Sequence, residues 1–288
     1  MLNRLIQTLT LRKVRKAWAA KRRLARAMEL LDQFPRHADA PRHDLPSRLI
    51  VSLTSYPERF GSLHLTIRSL LDQSVRPDSV ILWVDHAAAA AVPLAVKDLE
   101  GDLFSVKATE DVRSFTKIVP ALLEYPDAFI VTADDDIYYP DFWLQRLTNA
   151  FDPAHPTIVY HRGHRIRRQA DGRFAPYKDW ERRVNDKESL LPGVDVFPTG
   201  VGGVLYPPAS LPRLTTDRAL FERLSPTCDD SWLYFMWRQT PWKAKRTPGE
   251  MPKFVEWPTT QRQSLQAFHL GGMKDQHLQA LSDEFGNL

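Results

Sequence analysis

Apolar residues in this chain fall into short continuous runs separated by stretches with helical spacing. Arg48-Leu49-Ile50-Val51-Ser52-Leu53-Thr54, Val80-Ile81-Leu82-Trp83-Val84 and Phe129-Ile130-Val131 are β-favouring runs of the kind that form strands covered on both faces. Between the first two, Ser62 is placed to cap a helix whose Leu63, Ile67, Leu70 and Leu71 share one face. A helix over 92–99 and a strand over 103–106 follow, then a helix over 114–123 whose start is blurred by Pro120. Strand–helix alternation predicts an α/β fold with a mostly parallel central sheet flanked by helices. After residue 150 the rhythm changes. The polar, basic stretch 162–187 predicts long loops over an open cleft, and residues 200–206 read as a glycine-rich bend into a strand. Cys228-Asp229-Asp230-Ser231-Trp232 opens another helix.

The first 34 residues stand apart. They lack Pro and Gly, which predicts a helix, and Leu2, Leu5, Ile6, Leu9, Val14, Trp18 and Met28 form an apolar face against a basic one. Residues 1–31 hold nine Lys/Arg against the single acid Glu29, whereas the rest of the chain holds 30 basic and 34 acidic residues. The net charge of +4 therefore belongs to this appendage, and the body is mildly acidic. A basic amphipathic helix carrying Trp fits an anionic membrane surface. It shows none of the aromatic-interleaved pattern expected of a nucleic-acid platform. Residues 35–47, with Pro35, Pro41 and Pro46, read as a linker to a body spanning 48–288. The lone Cys228 excludes an internal disulfide framework. No apolar run reaches the roughly 20 residues needed to span a bilayer. Together these features predict a cytoplasmic protein, peripheral on the inner face of the plasma membrane.

Candidate chemistry concentrates at the end of the third apolar run, where Asp134, Asp135 and Asp136 follow directly. Ligands of open α/β sheets bind outside the carboxyl ends of the strands. Three adjacent carboxylates repel one another unless a cation sits among them, and hard oxygen donors suit Mg²⁺ or Mn²⁺.

Ser52-Leu53-Thr54-Ser55-Tyr56-Pro57-Glu58-Arg59 after the first strand, the Asp triplet and the late Cys228-Asp229-Asp230, in that order, resemble a GT-A glycosyltransferase. The resemblance covers about residues 48–275 and is strongest to bacterial, family-2-like enzymes of capsule or lipopolysaccharide synthesis. It implies a nucleotide-sugar donor (a UDP-sugar is expected), Mn²⁺ or Mg²⁺, and a glycan or lipid-linked acceptor. Asp136 matches the metal-binding last residue of the family's Asp-X-Asp motif, with Asp134 at the ribose or the metal and Asp135 at the donor sugar or a structural partner. Thr54, Tyr56 and Arg59 match the loop that cradles the nucleotide, Asp85 matches a base contact, and Lys117 a basic residue near the diphosphate. Gly202 and Gly203 would let the backbone approach the sugar. His269 and Lys274 resemble a terminal His-X-X-Gly-X-X-Lys element with one residue missing, which implies a metal ligand and a diphosphate cation. Asp229 and Asp230 fall where the family places an acidic pair beneath the acceptor hydroxyl, and one of them would serve as base in an inverting enzyme.

Two alternatives remain open at this point. A sugar nucleotidyltransferase would share the sheet and the metal, but Thr54–Arg59 contains none of the glycines its phosphate loop requires. A non-catalytic glycan-binding or scaffold protein on a degenerate transferase fold has no use for the intact acidic clusters. A phosphatase reading fails because Tyr138 stands where its Asp-X-Asp-X-Thr/Val motif needs a small residue.

Overall fold

The computed structural model describes residues 2–258 and 272–288. Its centre is a sheet built from β1 (Leu49–Thr54), β2 (Ser79–Asp85), β3 (Phe104–Thr109), β4 (Phe129–Thr132), β6 (Ile158–Tyr160), β10 (Val204–Tyr206) and β11 (Ala244–Arg246). Among the described residues it has seven strands, in the order β11-β6-β10-β4-β1-β2-β3. β1 runs parallel to β2 and β4, β2 to β3, and β6 to β11, while β10 is antiparallel to both its neighbours. That reversal matters for function. The start of β10 lies beside the carboxyl ends of β4 and β6, so the loop before it enters the edge where an α/β sheet binds ligands.

Alternation along the strands explains why both faces are covered. Leu49, Val51 and Leu53 of β1 join Val80, Leu82 and Val131 in a core closed by α2 (Phe60–Leu71) and α5 (Trp143–Ala150). Ile50, Ile81 and Ile130 face the opposite core, with α4 (Val119–Glu124), α6 (Arg218–Leu224), α7 (Asp229–Arg238) and α8 (Lys274–Phe285). Trp143, Trp232 and Trp237 are fully buried. Truncating any of them to Ala should cost about 3–5 kcal/mol.

Several local expectations change. Ser62 lies buried inside α2 rather than capping it, because the helix already starts at Phe60 after the single turn Pro57–Arg59. The expected helix over 114–123 is two pieces, a turn at Arg113–Lys117 and then α4, with Pro120 in the first turn where a missing N–H costs nothing. The helix expected over 92–99 shortens to α3 (Leu94–Lys97). Within 162–187, expected as loops, β7 (Gly163–Arg165) pairs with β8 (Glu181–Arg182) and with β9 (Val196–Pro198). A two-strand pairing joins β5 (Ile137–Tyr138) to β12 (Val255–Glu256).

The segment read as a linker is strapped to the body. Arg36 Nε lies 2.6 Å from Asp72 and Arg36 Nη1 lies 3.1 Å from Asp141. Arg42 and His43 both hold Asp78, which also accepts the Leu49 N–H. Burial alone would raise the Asp78 pKa, but these donors pull it well below the usual carboxylate range. Upstream, α1 (Leu2–Leu31) seats Ala27 and Leu31 against Tyr138 and Trp257. Residues 14–23 are exposed along the whole helix surface, with Trp18 63% accessible.

Candidate active site

The triplet sits as expected, directly beyond β4, and its three carboxylates face different partners. Asp134 receives the Lys117 ammonium at 2.9 Å, and its backbone N–H donates to the Tyr139 hydroxyl at 2.8 Å. Asp135 is buried, accepting from Ser55 Oγ at 2.6 Å and Arg59 Nη1 at 2.7 Å. Asp136 shares the same Arg59 nitrogen at 2.9 Å.

Arg59 braces the triplet. Its Nε donates to the Tyr56 hydroxyl at 2.8 Å and its guanidinium lies over the Tyr56 ring, so the cradle loop folds back on the acids. Burial opposes the Arg59 charge, yet Asp135 and Asp136 raise its pKa above the ordinary value. One guanidinium shared by two carboxylates leaves the second short of positive charge. The Asp136 carboxyl is pushed up to about 7, by burial first and then by Asp134 and Asp135, with Arg59 opposing.

Lys117 is buried, which excludes a solvated surface lysine. The Ser52 hydroxyl holds its carbonyl at 2.6 Å, and its ammonium bridges Asp134 and Asp229, the latter at 3.0 Å. Burial works against that charge, but Asp134, Asp229 and Asp230 keep it firmly protonated. Asp229 and Asp230 open α7, and both turn into the cluster. Asp229 is buried, its pKa raised first by burial with Lys117 opposing. Asp230 accepts the Gly200 N–H at 2.9 Å and lies 4.0 Å from Lys274. Lys274 begins α8 and rests over the Tyr177 and Phe197 rings at 4.5 and 4.8 Å.

Gly200, the first residue of the glycine-rich bend, stands where these groups meet. A Cβ there would lie 3.1 Å from Lys117 Nζ, 3.3 Å from Asp230 and 3.9 Å from Asp134. Gly202 and Gly203 are required by packing instead. A Cβ on Gly202 would come within 2.8 Å of Arg162 Cβ, and one on Gly203, at φ +86°, within 2.5 Å of the Trp143 ring. The remaining candidates have local duties. The Thr54 hydroxyl donates to the Trp83 carbonyl at 2.9 Å, and Asp85 accepts from Ala87 and Ala88 N–H at 2.7 and 3.0 Å in its own turn. His269 lies outside the described residues.

Among the described residues no three His, Cys, Asp or Glu side chains are arranged to hold a metal ion. Asp134 and Asp136 nevertheless present hard oxygen donors at a point short of positive charge, which fits Mg²⁺ or Mn²⁺ completed by substrate oxygens and water. A hollow of about 300 Å³ beneath the strap, lined by Phe34, Leu71 and Phe104 among others, contains none of these acids.

No family profile matches the chain, and no curated protein does. Among solved structures, the mannosyltransferase PcManGT from Pyrobaculum calidifontis, in complex with GDP-mannose and Mn²⁺, is similar. It aligns with a TM-score of 0.50 at 16% identity, over 90% of this chain and 68% of that one. The inositol-1-phosphate CTP transferase from T. maritima aligns with a TM-score of 0.44 at 12% identity, over 82% and 97% of the two chains. The 4-diphosphocytidyl-2C-methyl-D-erythritol synthase from Anaerococcus prevotii gives 0.43 at 12% identity, over 81% and 96%. What is shared with the mannosyltransferase at such identity is the fold, a mostly parallel central sheet flanked by helices.

Proposed function

We propose that the chain is a metal-dependent glycosyltransferase. It would move a sugar from a nucleotide-diphosphate donor to a hydroxyl of a glycan or lipid-linked acceptor, of the kind assembled into bacterial surface polysaccharide. The observation that carries this reading is the meeting of Asp134 and Asp230 about Gly200 and Lys117. Their side chains are 26% and 23% accessible, whereas Asp135 and Asp229 are nearly closed off at 7% and 11%. In this reading Asp134 would serve the donor and Asp230 the acceptor.

The chemistry follows from that division. In an inverting transfer the acceptor oxygen attacks the anomeric carbon and its proton passes to Asp230. The bond from that carbon to the phosphate oxygen breaks, and its electron pair leaves with the diphosphate. Asp229, pinned by Lys117, positions the start of α7 and so aims Asp230. Asp134 and Asp136 would hold Mn²⁺ or Mg²⁺, with His269 a further candidate ligand, and the bound ion supplies neutralising charge to the leaving group. Arg59 and Lys117 bridge the acids and offset their mutual repulsion. The donor's base lies outside this proposal: the expectation of a UDP-sugar has no support, and the nucleotide sugar in the P. calidifontis complex is GDP-mannose. Nucleotidyl transfer is the competing reading, and the products formed separate the two. Through the exposed basic stretch of α1, the enzyme would work at an anionic membrane surface.

The test is product analysis after incubating the full chain with Mn²⁺ and a panel of nucleotide sugars, with and without pyrophosphate. Release of nucleoside diphosphate is expected. Pyrophosphate-dependent conversion of the donor to nucleoside triphosphate and sugar 1-phosphate would make the chain a nucleotidyltransferase.

A further inference from the structure

The cations around the site divide into two groups. Arg59, Lys117 and Lys274 each lie within 4.0 Å of a carboxylate. Arg162, Arg182 and Arg183, from the basic stretch that the proposed mechanism does not use, are paired with none among the described residues.

Arg162 is the second residue beyond β6, at the carboxyl edge of the sheet. Its carbonyl accepts the Thr199 N–H at 2.9 Å, which fixes it to the residue preceding Gly200. Its Nε is fully buried with no hydrogen-bond partner. Burial lowers its pKa first, Arg183 lowers it further, and Tyr177, Asp230 and Glu256 only partly offset this. Arg183 is held close by a left-handed backbone (φ 56°) and by its N–H donating to His164 Nδ1 at 3.0 Å. Arg182 lies over the Tyr177 ring at 4.8 Å, the same ring that carries Lys274. His164 adds no further charge to the arrangement, since burial and then Arg162 keep it neutral, with its pKa lowered to about 3. A half-buried guanidinium without an acceptor is costly unless a ligand brings one, and the planar guanidinium fork matches an oxyanion.

Resting on the transferase reading above, we propose that Arg162, Arg182 and Arg183 form a subsite for an oxyanion carried by the acceptor, a phosphate or a carboxylate. The placement favours the acceptor over the donor. Arg162 is within electrostatic reach of Asp230 and Arg182 covers the Tyr177 ring, while the cations beside Asp134 to Asp136, where the diphosphate would lie, are already matched by carboxylates. The acceptor would then be a charged glycan or a phosphate-linked one, and a neutral sugar would bind poorly.

The experiment is calorimetric titration of full-length protein with inorganic phosphate at constant ionic strength, alone and with saturating GDP or UDP plus Mn²⁺. Phosphate should bind in both conditions. Arg162→Gln and Arg183→Gln should each weaken that binding by about tenfold, the loss of one charge-assisted partner, and leave GDP and UDP affinity within twofold. Arg182 and Arg183 are exposed, so their Gln variants keep the test decisive if Arg162→Gln misfolds. Phosphate binding insensitive to these substitutions would overturn the subsite. Nucleotide affinity falling in step with phosphate affinity would also overturn it, by assigning the arginines to the donor diphosphate. Wild-type protein that binds phosphate through these arginines but no nucleotide would sustain the anion site while removing the transferase reading.

Discussion

Burial first, and then the neighbouring charges of Asp134 and Asp135, push the Asp136 carboxyl up to about 7, and the one guanidinium it shares with Asp135 offsets this only in part. An unfolded Asp titrates near 3.8, so between about pH 4 and 7 the folded chain holds a proton that the unfolded chain has released. Stability should therefore fall as pH rises through that window, by up to about 4 kcal/mol if this group alone carried the shift. Urea unfolding at pH 4.5 and 7.5 should show a smaller loss for Asp136→Asn than for wild type; equal losses would place the perturbed acid elsewhere. Mn²⁺ must displace the same proton, so its affinity should rise over the same range. The triplet and Lys117 were legible in the sequence because strand, acids and lysine lie close together along the chain. Gly200 and Arg162 were not, since only the reversed direction of β10 and its pairing with β6 bring them to the site. The free Arg162 Nε is a property of packing that no local pattern announces. Gly202 and Gly203 were noticed for their composition, yet their neighbours are Arg162 and Trp143.

Long periodic runs such as β1, β2 and α2 were readable in outline, whereas β7, β8 and β9 are two or three residues each, too short to show a period. The linker expectation failed to foresee the strap because its anchors, Asp72, Asp78 and Asp141, lie far off in sequence. The same contrast divides α1. Its exposed stretch is free to meet a membrane, while its last turns belong to the core formed with Tyr138 and Trp257. Trp257 donates to Thr66 Oγ1, which in turn donates to the Asp135 carbonyl, so the seat of the helix is two hydrogen bonds from the acids. Deleting residues 1–23 should leave a folded protein that no longer co-sediments with anionic vesicles, since each basic residue near such a surface contributes about 1 kcal/mol. Deleting residues 1–31 should also lower the melting temperature, because Ala27 and Leu31 leave Trp257 exposed. Undiminished vesicle binding after the shorter deletion would refute the membrane role.

Across the whole molecule, a mostly parallel sheet covered on both faces gathers its chemistry at one edge. β1 delivers Arg59, β4 the triplet, β6 Arg162, the reversed β10 Gly200, and the start of α7 Asp229 and Asp230. The sequence alone carried the architecture because apolar alternation is a local signal repeated in every strand. Which groups oppose one another across the gap is set by topology, and it became visible only with the strands in order. Locating the ion directly tests the assignment of the site: anomalous scattering at the manganese edge from crystals soaked with Mn²⁺ and a nucleoside diphosphate. A single strong peak coordinated by Asp134 and Asp136, with diphosphate oxygens completing its shell and Asp230 facing the vacant sugar position, is the predicted result. Manganese and diphosphate bound together away from these carboxylates would contradict it.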